Sequence, residues 1–292
     1  MSALSPVPAL DVLATGPLAT VQDAGRPGLA DIGVGASGAA DRAAYRLANR
    51  LVANDPDAAA VEITFGGFTA RARGDLTVAV TGAACPVEID GRGAAVDSVL
   101  RVPAGAELRL GAPTAGLRCY LAVRGGIDVE PVLGSRATDL LAGLGPPELQ
   151  PGSVLPAGRP PAAFPTVDLA PVPAPPEGDV LLHAVAGPRA DWFTEQALEA
   201  LSGSRFEVTA QSNRIGMRLD GPDLPRARTG ELPSEGMVPG ALQVPPSARP
   251  TLFLADHPVT GGYPVIAVLR AADVARAAQV RPGQHLRFRV QD

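Results

Sequence analysis

Glycine and proline punctuate this chain so densely that long helices have little room. There are 33 glycines and 31 prolines among 292 residues. Relative to alanine, a helix interior loses about 1 kcal/mol at a glycine and about 3 kcal/mol at a proline. Many short strands joined by turns are the architecture this permits. Aromatic residues make up only 4%, so the cores must be built from Val, Leu, Ile and Ala, and 46% apolar residues supply them. A chain of this length has room for two domains.

Strand-patterned runs fall at 9–14, 60–65, 76–80, 86–89, 99–102, 107–110 and 118–123. Turn signals such as Gly66-Gly67, Gly74-Asp75, Asp90-Gly91 and Pro103-Ala104-Gly105 separate them. Asp41 can cap one helix whose apolar face is Ala44, Leu47, Ala48 and Leu51. The second half predicts strands at 179–184, 205–209, 218–219, 241–244, 251–254, 265–268 and 285–290, with helices over 190–201 and 271–278. Between the halves eight prolines cluster from Pro156 to Pro176, a composition that favours extended, semi-rigid chain. The expected division is a first domain over 1–157, a connector over 158–176 and a second domain over 177–292. Tyr120–Gly126 with Pro151-Gly152 is faintly echoed by Phe253–Gly262 with Pro282-Gly283. Duplication of a β-domain and chance repetition of common residues both account for that echo.

Several function classes are excluded or disfavoured. All 25 basic residues are arginine, and the chain has no lysine. It therefore cannot carry biotin in amide linkage, form a Schiff base, or use a Walker A lysine. A net charge of −5 with no basic run lacks the footprint of a nucleic-acid binder. No apolar stretch approaches the roughly 20 residues that span a bilayer. The stretch from Met1 to Leu10 does not read as a secretory signal, so a cytoplasmic protein is expected. Cys85 and Cys119 read as buried, reduced thiols, and His183, His257 and His285 have no zinc-site spacing. No metal site is expected. A Ser234/His257/Asp256 triad is disfavoured because adjacent Asp and His side chains diverge.

Four segments combine polar residues and glycines beyond what turns require. The first runs from Thr20 to Asp41 and offers Gln22, Asp23 and Arg26 in a glycine-rich loop, where an arginine can grip a carboxylate or phosphate. An Arg–Asp pair that pins the loop explains the same residues. The second is Gln211–Leu219, in which Arg214 and Arg218 would share one face of a strand as an anion site, or pair with Asp220 or Asp223. The third, Pro233–Pro245, holds Ser234, Glu235 and Gln243, suited to an amide: the carboxylate accepts its N–H and the glutamine donates to its carbonyl. In the fourth, Leu254–Pro264, Asp256 follows an apolar strand and Thr260-Gly-Gly forms a turn. Turn-making and capping would also account for the last two.

These segments carry a resemblance. Thr20–Arg26, Gly38–Asp41, Ala48–Val52 with Asn54, Tyr120–Ile127 with Gly134–Arg136, Ser212–Arg214, Gly216 with Arg218-Leu219, Ser234–Gly236, Gln243–Pro245, Thr260–Pro264 and Gln279 with Arg281–Gly283 occur in order over nearly the whole chain. Together they resemble the KipA/PxpC family, also labelled allophanate hydrolase subunit 2 or biotin-dependent carboxyltransferase. Departures occur at Ala40, at Ala248, where glycine is usual, and at His257–Val259. The resemblance implies a mainly β fold of two cyclophilin-like β-barrel domains with a few short helices. It implies an ATP-dependent opening of 5-oxoproline to glutamate with a KipI/PxpB-type subunit and a LamB/YcsF (PxpA)-type subunit, with ATP and Mg in the complex. Ser234, Glu235, Gln243 and Asp256 would serve in catalysis. Gln22, Asp23, Arg26, Arg214, Arg218, Thr260 and Tyr263 would hold substrate or phosphate. Relatives also suggest two other roles: carboxyl transfer from carboxybiotin held on another protein, and non-enzymatic binding of a KipI-like kinase inhibitor.

Overall fold

A computed structural model describes residues 8–228 and 230–291. Residues 1–7 of the N-terminal stretch read above for a signal therefore lie outside the described residues. The chain divides into two compact units. Of the described residues, the first holds those up to 26, 41–138 and 143–175, and the second holds 27–40, 139–142 and those from 176 on. Two loops of the first half of the sequence thus belong to the second unit.

The first unit contains β1 (Ala9–Thr15), β2 (Leu18–Gln22), α1 (Arg42–Leu51), β3 (Ala60–Thr64), β4 (Phe68–Ala72), β5 (Leu76–Ala84), β6 (Val87–Ile89), β7 (Arg92–Ala94), β8 (Val99–Val102), β9 (Glu107–Leu110), β10 (Ala115–Val123) and β11 (Val154–Pro156). They form two antiparallel sheets, ordered β11-β1-β4-β9-β6-β7 and β2-β3-β10-β5-β8. Leu10, Val21, Ile63, Phe68, Val78, Leu108 and Leu121 meet in their shared core. Apart from Phe68 and the two cysteines, aliphatic side chains fill it, in keeping with the scarcity of aromatics.

Helix α1 starts where expected, with Asp41 Oδ1 accepting from Ala44 N at 3.0 Å. Its buried face differs from the expected one, being Tyr45, Ala48, Asn49 and Leu51. Polar anchors turn it: Tyr45 Oη and Asn49 Nδ2 both donate to Ala58 O, at 2.8 and 2.7 Å. Tyr120 Oη joins the helix start to the sheet, accepting from Asp41 N at 2.7 Å and donating to the buried Glu62 carboxylate at 2.8 Å.

The proline-rich stretch lies along the first unit. Val99 N donates to Asp168 O at 2.9 Å and Ala170 N to Asp97 O at 2.8 Å, which lays residues 168–170 beside β8. Arg124 Nη2 donates to the carbonyls of Pro161 and Ala163, and its guanidinium stacks 5.0 Å from the Phe164 ring centre. Burial beneath this edge pushes the Asp97 carboxyl up to about 6. In the unfolded chain an aspartate titrates near pH 4, so folding takes up a proton between the two values. This contribution to stability therefore falls as pH rises from about 4 to about 6. Asn tolerates the left-handed φ of 55° at this position. Asp97→Asn should raise Tm relative to the parent at about pH 7.5 and lose that advantage near pH 4. An equal difference at both pH values would contradict the assignment.

The second unit contains β12 (Val180–Ala186), α2 (Glu195–Gly203), β13 (Phe206–Val208), β14 (Gly216–Asp220), β15 (Glu235–Gly236), β16 (Ala241–Gln243), β17 (Thr251–Phe253), β18 (Thr260–Gly261), β19 (Val265–Leu269), α3 (Ala271–Ala277) and β20 (His285–Gln291). Seven strands close a barrel in the order β12-β19-β16-β17-β14-β13-β20, sealed by the parallel pairing of β12 with β20. Strand β14 alternates Met217 and Leu219 inward with Arg218 and Asp220 outward. Phe206 and Phe288 meet inside at a ring-centre distance of 5.7 Å. The helix expected over 190–201 is split. A short 3-10 turn covers Ala190–Trp192, Phe193 is extended, and Thr194 Oγ1 caps α2 by accepting from Ala197 N at 3.1 Å. The ribbon β15–β18 stands apart from the barrel as its own two-stranded sheet. The internal echo falls on unlike places: Gly125-Gly126 follows β10, whereas Gly261 lies within β18.

Candidate functional site in the second unit

The strand β14 is entered through a bend that sets up the site. Asn213 Oδ1 accepts from Ile215 N at 2.8 Å and Gly216 N at 3.2 Å, an Asx-type turn. The turn breaks strand alternation, so Arg214 and Arg218 do not share a face as expected. Arg214 turns inward and its side chain is wholly buried, whereas Arg218 is exposed.

Arg214 and Asp256 form a forked pair, Nε to Oδ2 and Nη2 to Oδ1, both at 2.9 Å. The backbone doubles the link, since Asp256 N donates to Arg214 O at 3.0 Å. Ser37 Oγ donates to Asp256 Oδ1 at 2.6 Å, and Leu140 N to Oδ2 at 3.2 Å. Arg214 Nη2 also donates to Gly38 O at 2.7 Å. One carboxylate thus gathers β14, the end of β17, and the two loops that the second unit takes from the first half of the sequence. Ser37 holds a left-handed φ of 52° there. Four donors thus engage the two oxygens of Asp256.

A groove opens over the outer face of β14, β16 and β17. Two adjoining chambers of about 470 and 460 Å³ share Gln211, Arg218, Pro245, Ser247 and Thr251. One chamber adds Arg249 and Asp220; the other adds Asn213, Ile215, Gln243, Phe253 and Tyr263. Asp220 and Asp223 both turn to Arg249, so neither takes Arg218. Among the described residues Arg218 has no ion pair. Gln243 is 7% exposed and donates from Nε2 to Tyr263 O at 3.1 Å. A Cβ on Gly261 would lie 2.5 Å from that nitrogen, so glycine there lets the glutamine side chain keep this position. Tyr263 is itself capped by the Arg226 guanidinium, 5.8 Å from its ring centre. Ala248, where glycine was expected, adopts a left-handed φ of 60° beside the groove residue Ser247.

The remaining candidates lie outside the groove. Arg189 grips Glu235 through Nε at 2.8 Å and through Nη2, fixing the ribbon. Ser234 and Thr260 are exposed at that ribbon. Gln22, Asp23 and Arg26 belong to the first unit. There Gln22 Nε2 donates to Thr138 O at 2.9 Å and Arg26 Nη2 to Ala137 O. Asp23 accepts from Gly25 N, Ser135 Oγ and Arg136 N, at 2.7, 2.6 and 2.5 Å. These three residues knit the loop to residues 135–138. Asn213, Ser37 and Leu140 were not singled out from the sequence. An Asn three residues before a glycine is a turn signal that would have marked the first. Among the described residues no group of three His, Cys, Asp or Glu is placed to hold a metal ion.

A family model described as "Carboxyltransferase domain, subdomain A and B" matches residues 32–290. The C subunit of 5-oxoprolinase from Escherichia coli (strain K12) is 39% identical over 282 residues, covering 96% of this chain and 90% of that protein. The crystal structure of TTHA0988 superposes with a TM-score of 0.88 at 35% identity, covering 97% of this chain and 56% of that one. The K. lactis urea amidolyase superposes with a TM-score of 0.92 at 30% identity, covering 99% of this chain and 19% of that one.

Proposed function

This chain belongs to the family of carboxyltransferase domains of subdomain A and B type, and from that premise we propose that it is the C subunit of a heteromeric 5-oxoprolinase. Its work would be to help open 5-oxo-L-proline to L-glutamate. The observation that carries this reading is the end-to-end likeness to the Escherichia coli protein, nearly complete in both chains. Against urea amidolyase the match accounts for only a small part of a much larger protein, which favours carboxyl transfer less.

A ring amide is resonance-stabilised, and its hydrolysis needs activation that we assign to ATP. Of the two arginines in the groove, Arg249 is engaged by Asp220 and Asp223, which leaves Arg218 to meet an anion. We assign ATP and Mg²⁺ to the complex formed with KipI/PxpB-type and LamB/YcsF-type partners, in the cytoplasm. No helix among the described residues is long and apolar enough to cross a membrane. Arg214 and Asp256 serve as positioning residues, and the groove side chains receive substrate.

The test is co-purification of the chain with those two partners, followed by glutamate release from 5-oxo-L-proline with ATP. Release should require all three proteins. ATP turnover indifferent to 5-oxo-L-proline would reject the reading. Carboxylation of urea by the chain with a biotin carrier and carboxylase would establish carboxyl transfer in its place.

A further inference from the structure

We propose that the groove of the second unit reads a carboxylate and a ring amide held on one small molecule: Arg218 takes the carboxylate, Gln243 the amide N–H and Asn213 the amide oxygen. Two amide side chains with settled ends and one guanidinium free of carboxylates support this. Asn213 spends its Oδ1 on two backbone N–H groups, which settles which end of the amide is which. Its Nδ2 has no acceptor among the described residues, which leaves a donor on a side chain that lines the chamber. Gln243 spends its Nε2 on Tyr263 O, leaving Oε1 as an open acceptor. This reverses the role expected from the sequence, in which the glutamine donated to a carbonyl. Arg218 brings a guanidinium free of protein carboxylates, since Arg249 occupies the nearby aspartates.

One cation, one donor and one acceptor match a lactam carboxylate group for group. Ile215, Pro245 and Phe253 supply apolar wall for the ring carbons. The identity of the ligand as 5-oxo-L-proline rests on the function proposed above; the recognition pattern does not. Charge grows on the lactam oxygen as the carbonyl is attacked, so Asn213 acts chiefly in the transition state and Arg218 chiefly in binding.

The experiment titrates 5-oxo-L-proline, 2-pyrrolidinone (amide only) and cyclopentanecarboxylate (carboxylate only) into the full chain and its complex, followed by NMR. The parent should bind 5-oxo-L-proline more tightly than either fragment. Arg218→Gln should weaken 5-oxo-L-proline and cyclopentanecarboxylate about tenfold to a hundredfold and leave 2-pyrrolidinone unchanged. In the complex it should raise KM, whereas Asn213→Ala should lower kcat. Arg218 is exposed, so Arg218→Gln should melt like the parent and decides the matter alone if Asn213→Ala disturbs its turn. Unchanged affinity and KM in Arg218→Gln, with the complex still releasing glutamate, would overturn the groove and spare the function. Discrimination among the three ligands without glutamate release would do the reverse.

Discussion

Replacing Asp256 with alanine is expected to destabilise the second unit by about 3–5 kcal/mol, read as a shift in its chemical denaturation midpoint. The cost comes from what remains. Arg214 would keep a charge in a site with no solvent access, without the forked partner at 2.9 Å. Ser37 and Leu140 N would also lose their acceptor. Asp256→Asn should be nearly as harmful, because it preserves shape but leaves the arginine without an opposing charge. The double replacement Arg214→Met with Asp256→Leu removes both charges and should recover much of the loss, since apolar substitutes for buried pairs are often close to neutral. It should nonetheless leave a poor enzyme, with the bend at Asn213 and the 37–38 loop no longer tied together. A single-variant cost below about 1 kcal/mol would mean that the pair is not sealed from water.

Gly66→Ala should be comparably severe in the first unit, for a steric reason. Three backbone turns nest there. A Cβ on Gly66 would stand 2.0 Å from Gly111 O, and one on Gly16 would stand 1.8 Å from Gly66 O. Neither neighbour is a flexible side-chain end, so the strand connections themselves must move. Gly66 also sits at a φ of 68°. We expect a loss of about 3 kcal/mol or more. Gly91→Ala is the control. Its φ of 73° is similar, but nothing lies within 4 Å of the added carbon. It should cost only the left-handed backbone term, about 1–2 kcal/mol. Equal effects would show that conformation, not close approach, dictates both glycines.

The contrast between these sites tracks what a sequence can reveal. Gly66-Gly67 was legible as a turn because glycine pairs punctuate strand patterns. That Gly66 abuts Gly111 required the fold, since the two are far apart in sequence. Asp41 was readable as a helix cap because capping is local. The rotation of α1 toward Tyr45 and Asn49 was not, because Ala58, which receives both, lies beyond the helix. Helix 190–201 looked continuous by periodicity, yet Thr194 is a better cap than interior residue and splits it. At the site, residue types were read more easily than their partners. Arg214 and Arg218 stand four apart in a strand-like run, and the Asn213 turn separates a buried clamp from an exposed guanidinium. The sequence marks Gln243 as suited to an amide, but which end of its side chain stays open depends on Tyr263 O.

A crystal structure of the complex with 5-oxo-L-proline bound would be the most direct measurement. We predict the ligand's carboxylate on Arg218, its ring nitrogen facing Gln243 Oε1 and its ring oxygen facing Asn213 Nδ2. Ligand bound away from this groove, with Arg218 still solvated, would contradict the account.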